Sequence, residues 1–285
     1  MSPGKVVAIF GGGGAKAATD LGAARALQEA GLAPAHFVAT SLGAVMAAML
    51  AAGLDPEEAL HRVAAVASAD VVSFNPWLLV LGVRTRSVLR EAPLRATIAR
   101  LVPARKFSDL KLPLTITATD LDTGELALLG AGGADAPLVD ALYATCALPL
   151  WFPPARIDGR RLADGGLRAV LPIEVALRFA PAVVAAIDAG PGFDEAKAPG
   201  SRPLPALLEA HSESEGILMA AATAAALERW RTLAGRPPLL YVRPRVERGA
   251  TFRVEIVRRY ADEGYRAAVE AIGRFRAEVA PGDSR

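Results

Sequence analysis

The sequence predicts a three-layer α/β/α fold, with a mainly parallel central sheet covered on both faces by helices. Two observations carry this expectation. Short apolar runs rich in Val and Ile, bounded by Gly, Pro or Asp, alternate with longer stretches of helix formers. The first of these runs, Val6 to Phe10, is apolar at all five positions, as a strand buried on both faces is. With 285 residues, 52% of them apolar, the chain can bury a sizeable core, and nothing in its middle reads as a linker. A single domain over 1–285 is the expectation, with the motifs in about 5–190 and the helices and one strand of 200–280 packed on them.

Val6 to Phe10 is the first strand. Gly11-Gly12-Gly13-Gly14-Ala15-Lys16 then opens a helix expected from Thr19 to Ala30, with Gly31 as its stop. The glycine loop has three readings: a phosphate cradle, a set of backbone N–H donors for an oxyanion, or a tight turn. It departs from both common phosphate versions, since no G-K-[ST] ends it and Ala17 stands where G-x-G-x-x-G needs its last glycine.

Phe37 to Ala39 leads as a strand into Thr40-Ser41-Leu42-Gly43, and aliphatic helix formers follow to Gly53. A nucleophile elbow has this layout, with the serine on a strained turn and small residues two positions to either side. Here they are Ala39 and Gly43, so the pattern is A-x-S-x-G. A serine between strand and helix is also a common N-cap, and both readings stay open at this point. The stretch from Phe37 to Leu54 is uncharged over nearly the ~20 residues of a membrane span. Its Thr40, Ser41, two glycines and missing Lys/Arg and Trp/Tyr anchors favour a buried helix instead.

Asp55-Pro56-Glu57-Glu58 starts a helix expected to reach Ser68. Asn75 to Leu81, which holds Trp77, reads as core or as a cover over an apolar substrate. Leu112 to Thr119 and Glu125 to Leu129 form a hairpin around Asp120 to Gly124. A helix over Leu138 to Ala147 ends at Pro149, and Leu148 to Phe152 is an apolar loop that reads as core or as a lipid-facing rim at Trp151-Phe152. Arg156-Ile157 and Arg161-Leu162 flank a small turn at Asp158-Gly159. Asp164-Gly165-Gly166 is first of all a turn signal. Pro172 starts a helix, Val183 to Asp188 is a strand, and Pro199 to Pro205 is loop. A long helix over Leu207 to Leu233, a strand at Leu239 to Arg243 and an amphipathic helix over Val254 to Val279 complete the chain.

The charge balance, 32 basic against 30 acidic residues, argues against a nucleic-acid binder. One cysteine, Cys146, excludes an internal disulfide and fits a reducing compartment. The first residues lack the features of a signal peptide, and a cytoplasmic location is expected.

Five ordered motifs resemble the patatin-like phospholipase family: GGGGAK (Gly11 to Lys16), ATSLGA (Ala39 to Ala44), LPLTITATDLDTGE (Leu112 to Glu125), ATCALPLWFPP (Ala144 to Pro154) and IDGRRLADGGL (Ile157 to Leu167). The resemblance covers roughly Lys5 to Gly190, with Ala39 and Ala17 as departures. It implies a Ser–Asp dyad, with Ser41 as nucleophile and Asp164 as general base on its Gly165-Gly166 turn. This agrees with the histidines, since His36, His61 and His211 all lack a turn setting after a late strand. The resemblance also implies an oxyanion hole from the N–H groups of Gly12 and Gly13, with Gly14 nearby. Lys16 holds that loop, and Gly43 keeps the elbow tight. The expected activity is hydrolysis of lipid or phospholipid esters through an acyl-serine, with no metal or other cofactor and with transient contact to a membrane surface. Acyl transfer on the same site, or lipid binding without turnover, are the alternatives. Acyl length, headgroup and oligomeric state are left open.

Overall fold

The computed structural model describes residues 4–76, 84–85, 87–192, 205–247 and 256–279. Its centre is an eight-stranded sheet. The strands are β1 (Val6–Phe10), β2 (His36–Thr40), β3 (Leu114–Asp120), β4 (Leu126–Gly130), β5 (Ala155–Ile157), β6 (Arg160–Asp164), β7 (Val183–Ile187) and β8 (Leu239–Val242). The path across it is β5-β6-β3-β2-β1-β7-β8, with β4 also paired to β3. The pairs β1–β2, β1–β7, β2–β3 and β7–β8 are parallel, and the antiparallel pairs gather around β3 and at the β5–β6 hairpin. The expected mainly parallel sheet is therefore present.

Alternation along the strands splits the core into two layers. Val7, Ile9 and Val38 face a smaller cluster with Leu171, Ile173, Ala226 and Trp230. Phe10, Phe37 and Ala39 face the larger cluster, which takes in α1 (Ala18–Glu29), α2 (Leu42–Ala51), α3 (Pro56–Ala64), α4 (Glu91–Leu101) and α5 (Leu138–Cys146). The smaller cluster is closed by Leu171, which follows α6 (Gly166–Ala169), by a 3-10 segment (Ile173–Phe179) and by the long helix α7 (Ala206–Thr232). The last helix, α8 (Val257–Val279), lies on α1, and the crossing is close: a Cβ on Gly22 would stand 1.8 Å from Ala261 O.

Several boundaries differ from the sequence expectation, each for a local reason. Helix α3 starts as expected, with Asp55 accepting from Glu58 N at 2.9 Å, but ends at Ala64. Beyond it, Asp70 accepts from Ala67 N and draws the chain into a separate 3-10 turn, Ser68–Asp70. The segment after Pro172 is a 3-10 helix rather than an α-helix. Its buried residues Ile173 and Ala176 recur every three positions, which matches a three-residue turn. Trp151 and Phe152 are buried, which makes them core and not a rim. They are held by the Trp151 carbonyl, which accepts from Leu89 N, and by the Pro153 carbonyl, which accepts from Tyr143 Oη. Trp77 to Leu81, residues 199–204 and the first two residues of the expected C-terminal helix lie outside the described residues. Among the described residues no helix is long and apolar enough to cross a membrane.

Candidate active site

The sheet register brings the two candidate residues together. Strand β4 occupies one edge of β3 over Thr115 to Thr119, so the other edge is left to both β2 and β6. Parallel β2 takes Leu114 to Thr117 of that edge, and antiparallel β6 takes Ala118 to Asp120. The two strands run toward each other and meet head to head. Thr40, opposite Thr117, is followed by Ser41, and Asp164, opposite Ala118, is the last residue of β6. Residues 123 positions apart are thereby in contact, and Ser41 Oγ donates to Asp164 Oδ2 at 2.7 Å.

Ser41 has φ 55° and ψ −138°, a strained conformation for a residue with a side chain, as an elbow requires. It occupies the N-cap position of α2, but its hydroxyl makes no capping bond. The N-cap reading therefore gives way: the side chain is turned to the carboxylate. The Ser41 N–H donates to Thr145 Oγ1 at 2.7 Å, which fixes the strained turn from α5. Gly43 is required by close approach, since a Cβ there would stand 2.5 Å from Gly11 O. Ala39 is fully buried beside Phe10 and Phe37, and Ala17 is likewise buried.

Asp164 is buried, and its surroundings set its chemistry. Oδ1 accepts from Gly166 N at 2.7 Å, and its main-chain carbonyl accepts from Thr119 Oγ1 at 2.9 Å. Burial raises its pKa from the ordinary 3.8 to about 7, against the lowering effect of the bonds from Gly166 and Ser41. Gly165 stands so close to β3 that a Cβ would be 2.4 Å from Thr117 O. Cys146, at the end of α5, adjoins Ser41, and burial pushes its thiol well up.

The glycine loop lies against the serine: a Cβ on Gly12 would be 3.2 Å from Ser41 Cβ. Gly12 nevertheless drops out as an oxyanion donor, because its N–H donates to Val170 O at 3.0 Å. Gly11 N–H is likewise spent on Ile187 O. The N–H groups of Gly13 and Gly14 have no acceptor among the described residues, and both glycines are part-exposed. Lys16 is buried, and its Nζ donates to Gly190 O at 3.0 Å, tying the loop to the end of β7.

The histidines take no part in this contact. His36 is buried at the start of β2, bonded to Thr115 Oγ1 and held neutral, with burial the main cause of a pKa lowered to about 4. His61 lies in the last turn of α3. His211 lies on α7, 3.3 Å from Glu215. Thr145 is the contributor that sequence reasoning passed over. It sits inside a quoted motif as a hydroxyl in an apolar helix end, which was the available signal.

A family model described as Patatin-like phospholipase matches residues 8–177. An uncharacterized NTE family protein of Mycobacterium tuberculosis is 30% identical over 169 residues, 59% of this chain and 44% of its own length. Patatin-like phospholipase domain-containing protein 7 of Rattus norvegicus is 29% identical over 187 residues, 65% of this chain and 14% of its own length. The chain thus spans less than half the length of these curated relatives. Among solved structures, VipD from Legionella pneumophila aligns over 96% of this chain and 67% of its own, with a TM-score of 0.46 and 16% identity.

Proposed function

Because this chain belongs to the patatin-like phospholipase family, we propose that it is a serine acyl hydrolase that cleaves lipid carboxylic esters with Ser41 and Asp164. The observation that carries the reading is the 2.7 Å bond from Ser41 Oγ to a buried carboxylate at a strained strand-to-helix turn. A serine hydroxyl is a poor nucleophile until a base takes its proton. A carboxylate near pKa 7 is matched to that task at neutral pH, whereas an ordinary one near 4 is too weak.

The steps follow from these positions. Ser41 Oγ attacks the ester carbonyl carbon while its proton passes to Asp164 Oδ2. The carbonyl oxygen becomes an oxyanion, for which the N–H groups of Gly13 and Gly14 and the positive end of α2 are the available partners. On collapse the C–O bond to the leaving alcohol breaks, and that oxygen takes the proton from Asp164. Water then attacks the acyl-serine, giving a proton to Asp164. As the second tetrahedral intermediate releases the fatty acid, that proton returns to Ser41 Oγ. No step calls for a metal or other cofactor. Gly166 N holds Asp164 Oδ1, so only Oδ2 faces the serine. We further read residues 1–285 as one domain, since β8 extends the shared sheet and α8 lies on α1.

Incubation with a fluorophosphonate, followed by peptide mapping, tests the assignment. The adduct is expected on Ser41 and absent from Ser41→Ala. Active protein that stays unmodified, or an adduct on another serine, overturns it.

A further inference from the structure

Helix α7 is buried most deeply in its second half, while Leu208 in its first turn packs against the larger core cluster. In its second half Thr223, Ala226 and Trp230 are buried, and Ala226 and Trp230 join the core behind the sheet. The middle of the helix runs past the site. Met219 Cε lies 3.3 Å from where a Cβ on Gly166 would stand, and that same point is 3.0 Å from Asp164 Oδ1. Residues four apart on a helix share one face, so Glu215 and His211 continue the row from Met219, one and two turns back. The Glu215 side chain is only 12% exposed, and its Oε1 lies 3.3 Å from His211 Nε2. Burial raises the Glu215 pKa, and the neighbouring His211 opposes the rise. Repulsion from Glu215 adds to the burial that already raises Asp164.

The other charges around Asp164 are answered locally. Helix α2 carries none, and burial keeps the Cys146 thiol on α5 neutral. Asp120 on β3 accepts from Arg160 at 2.7 Å, and Asp122 pairs with Arg161. On α6 the charged residue is Arg168, which is exposed.

Resting on the roles proposed above for Ser41 and Asp164, we propose that Glu215, paired with His211, is a positioning residue for the reaction. Its negative charge, one helical turn along α7 from Met219, favours movement of the Ser41 proton onto the Asp164 carboxylate. Glu215 on α7 thereby shifts the pH window that burial of Asp164 sets for activation of the serine.

The test is the pH dependence of the fluorophosphonate labelling rate between pH 5 and 9, for wild type, Glu215→Gln and Glu215→Asp. Glu215→Gln keeps the shape and removes the charge, so the acidic limb should move down by about half a pH unit or more, and the plateau should fall severalfold. Glu215→Asp keeps the charge and should keep the limb near its wild-type position. A limb that does not move in Glu215→Gln overturns the inference. So does Glu215→Asp moving the limb as far as Glu215→Gln, because packing and not charge would then be responsible. Wild type that is not labelled at Ser41 would refute the site itself, whereas labelling at Ser41 with an unmoved limb refutes the role of Glu215 alone.

Discussion

Replacing Asp164 by Asn separates chemistry from stability, and the structure sets opposite signs for the two. Asn can accept from Gly166 N through its carbonyl oxygen and reach Ser41 Oγ through its amide, so the local bonds survive. The proton acceptor does not, and ester turnover should fall by about a thousandfold, within the range of a lost general base. Stability should move the other way. The Asp164 carboxyl titrates at about 7 in the fold against 3.8 ordinarily, with burial as the main cause. Below about pH 4 both folded and unfolded chains hold this proton, and there is no cost. Between about 4 and 7 the unfolded chain ionises first, so stability falls as pH rises. Above about 7 the cost is constant and on the order of 4 kcal/mol as an upper bound. Asn carries no such cost, so at pH 8 Asp164→Asn should be more stable than wild type by roughly 1–4 kcal/mol, several degrees in Tm. The gain should vanish near pH 4. The assays are turnover of a short soluble ester and thermal unfolding at pH 4, 6 and 8. The wild-type kcat/KM should climb with pH to a plateau just above 7. Wild-type turnover in Asp164→Asn, or a variant that is less stable than wild type at pH 8, would refute this reasoning.

Three further substitutions probe the surroundings. Thr145→Val strips the Ser41 N–H of its acceptor, which should cost about 1–3 kcal/mol in denaturant unfolding and slow turnover by about tenfold or more. Ala39→Gly should leave activity within a few-fold of wild type and lower stability by about 1 kcal/mol, and a large loss would show that the buried methyl sets the elbow geometry. Trp151→Ser should lower stability by about 3–5 kcal/mol, because the indole is buried. A variant with an unchanged melting temperature and weakened vesicle binding would restore the rim reading of Trp151.

Local pattern made the strands legible, because buried parallel strands are unbroken apolar runs, and Val6–Phe10 and Val183–Ile187 fall within one residue of expectation. The elbow was legible for a related reason: strand, helix and glycine loop crowd together at Gly43, and that crowding restricts residue size at fixed offsets from Ser41. What escaped depends on distant partners. Gly12 looks like any other loop donor until Val170, far along the chain, takes its N–H. Trp151-Phe152 reads equally well as a rim or as core, and the structure buries both, with Leu89 N bonded to the Trp151 carbonyl. His211 and Glu215 are ordinary helix residues in one dimension. Only the path of α7 across Gly166 puts Met219, on the face they share, against the site.

The central claim is that ester cleavage passes through an acyl group held covalently on Ser41. Acid quenching of the protein during turnover of a chromogenic acyl ester, with intact-mass and peptide-mass measurement, tests it directly. We expect a mass increase of one acyl group on the peptide that contains Ser41, an initial burst of the alcohol product, and neither in Ser41→Ala. Turnover that proceeds without an adduct and persists in Ser41→Ala would contradict the claim.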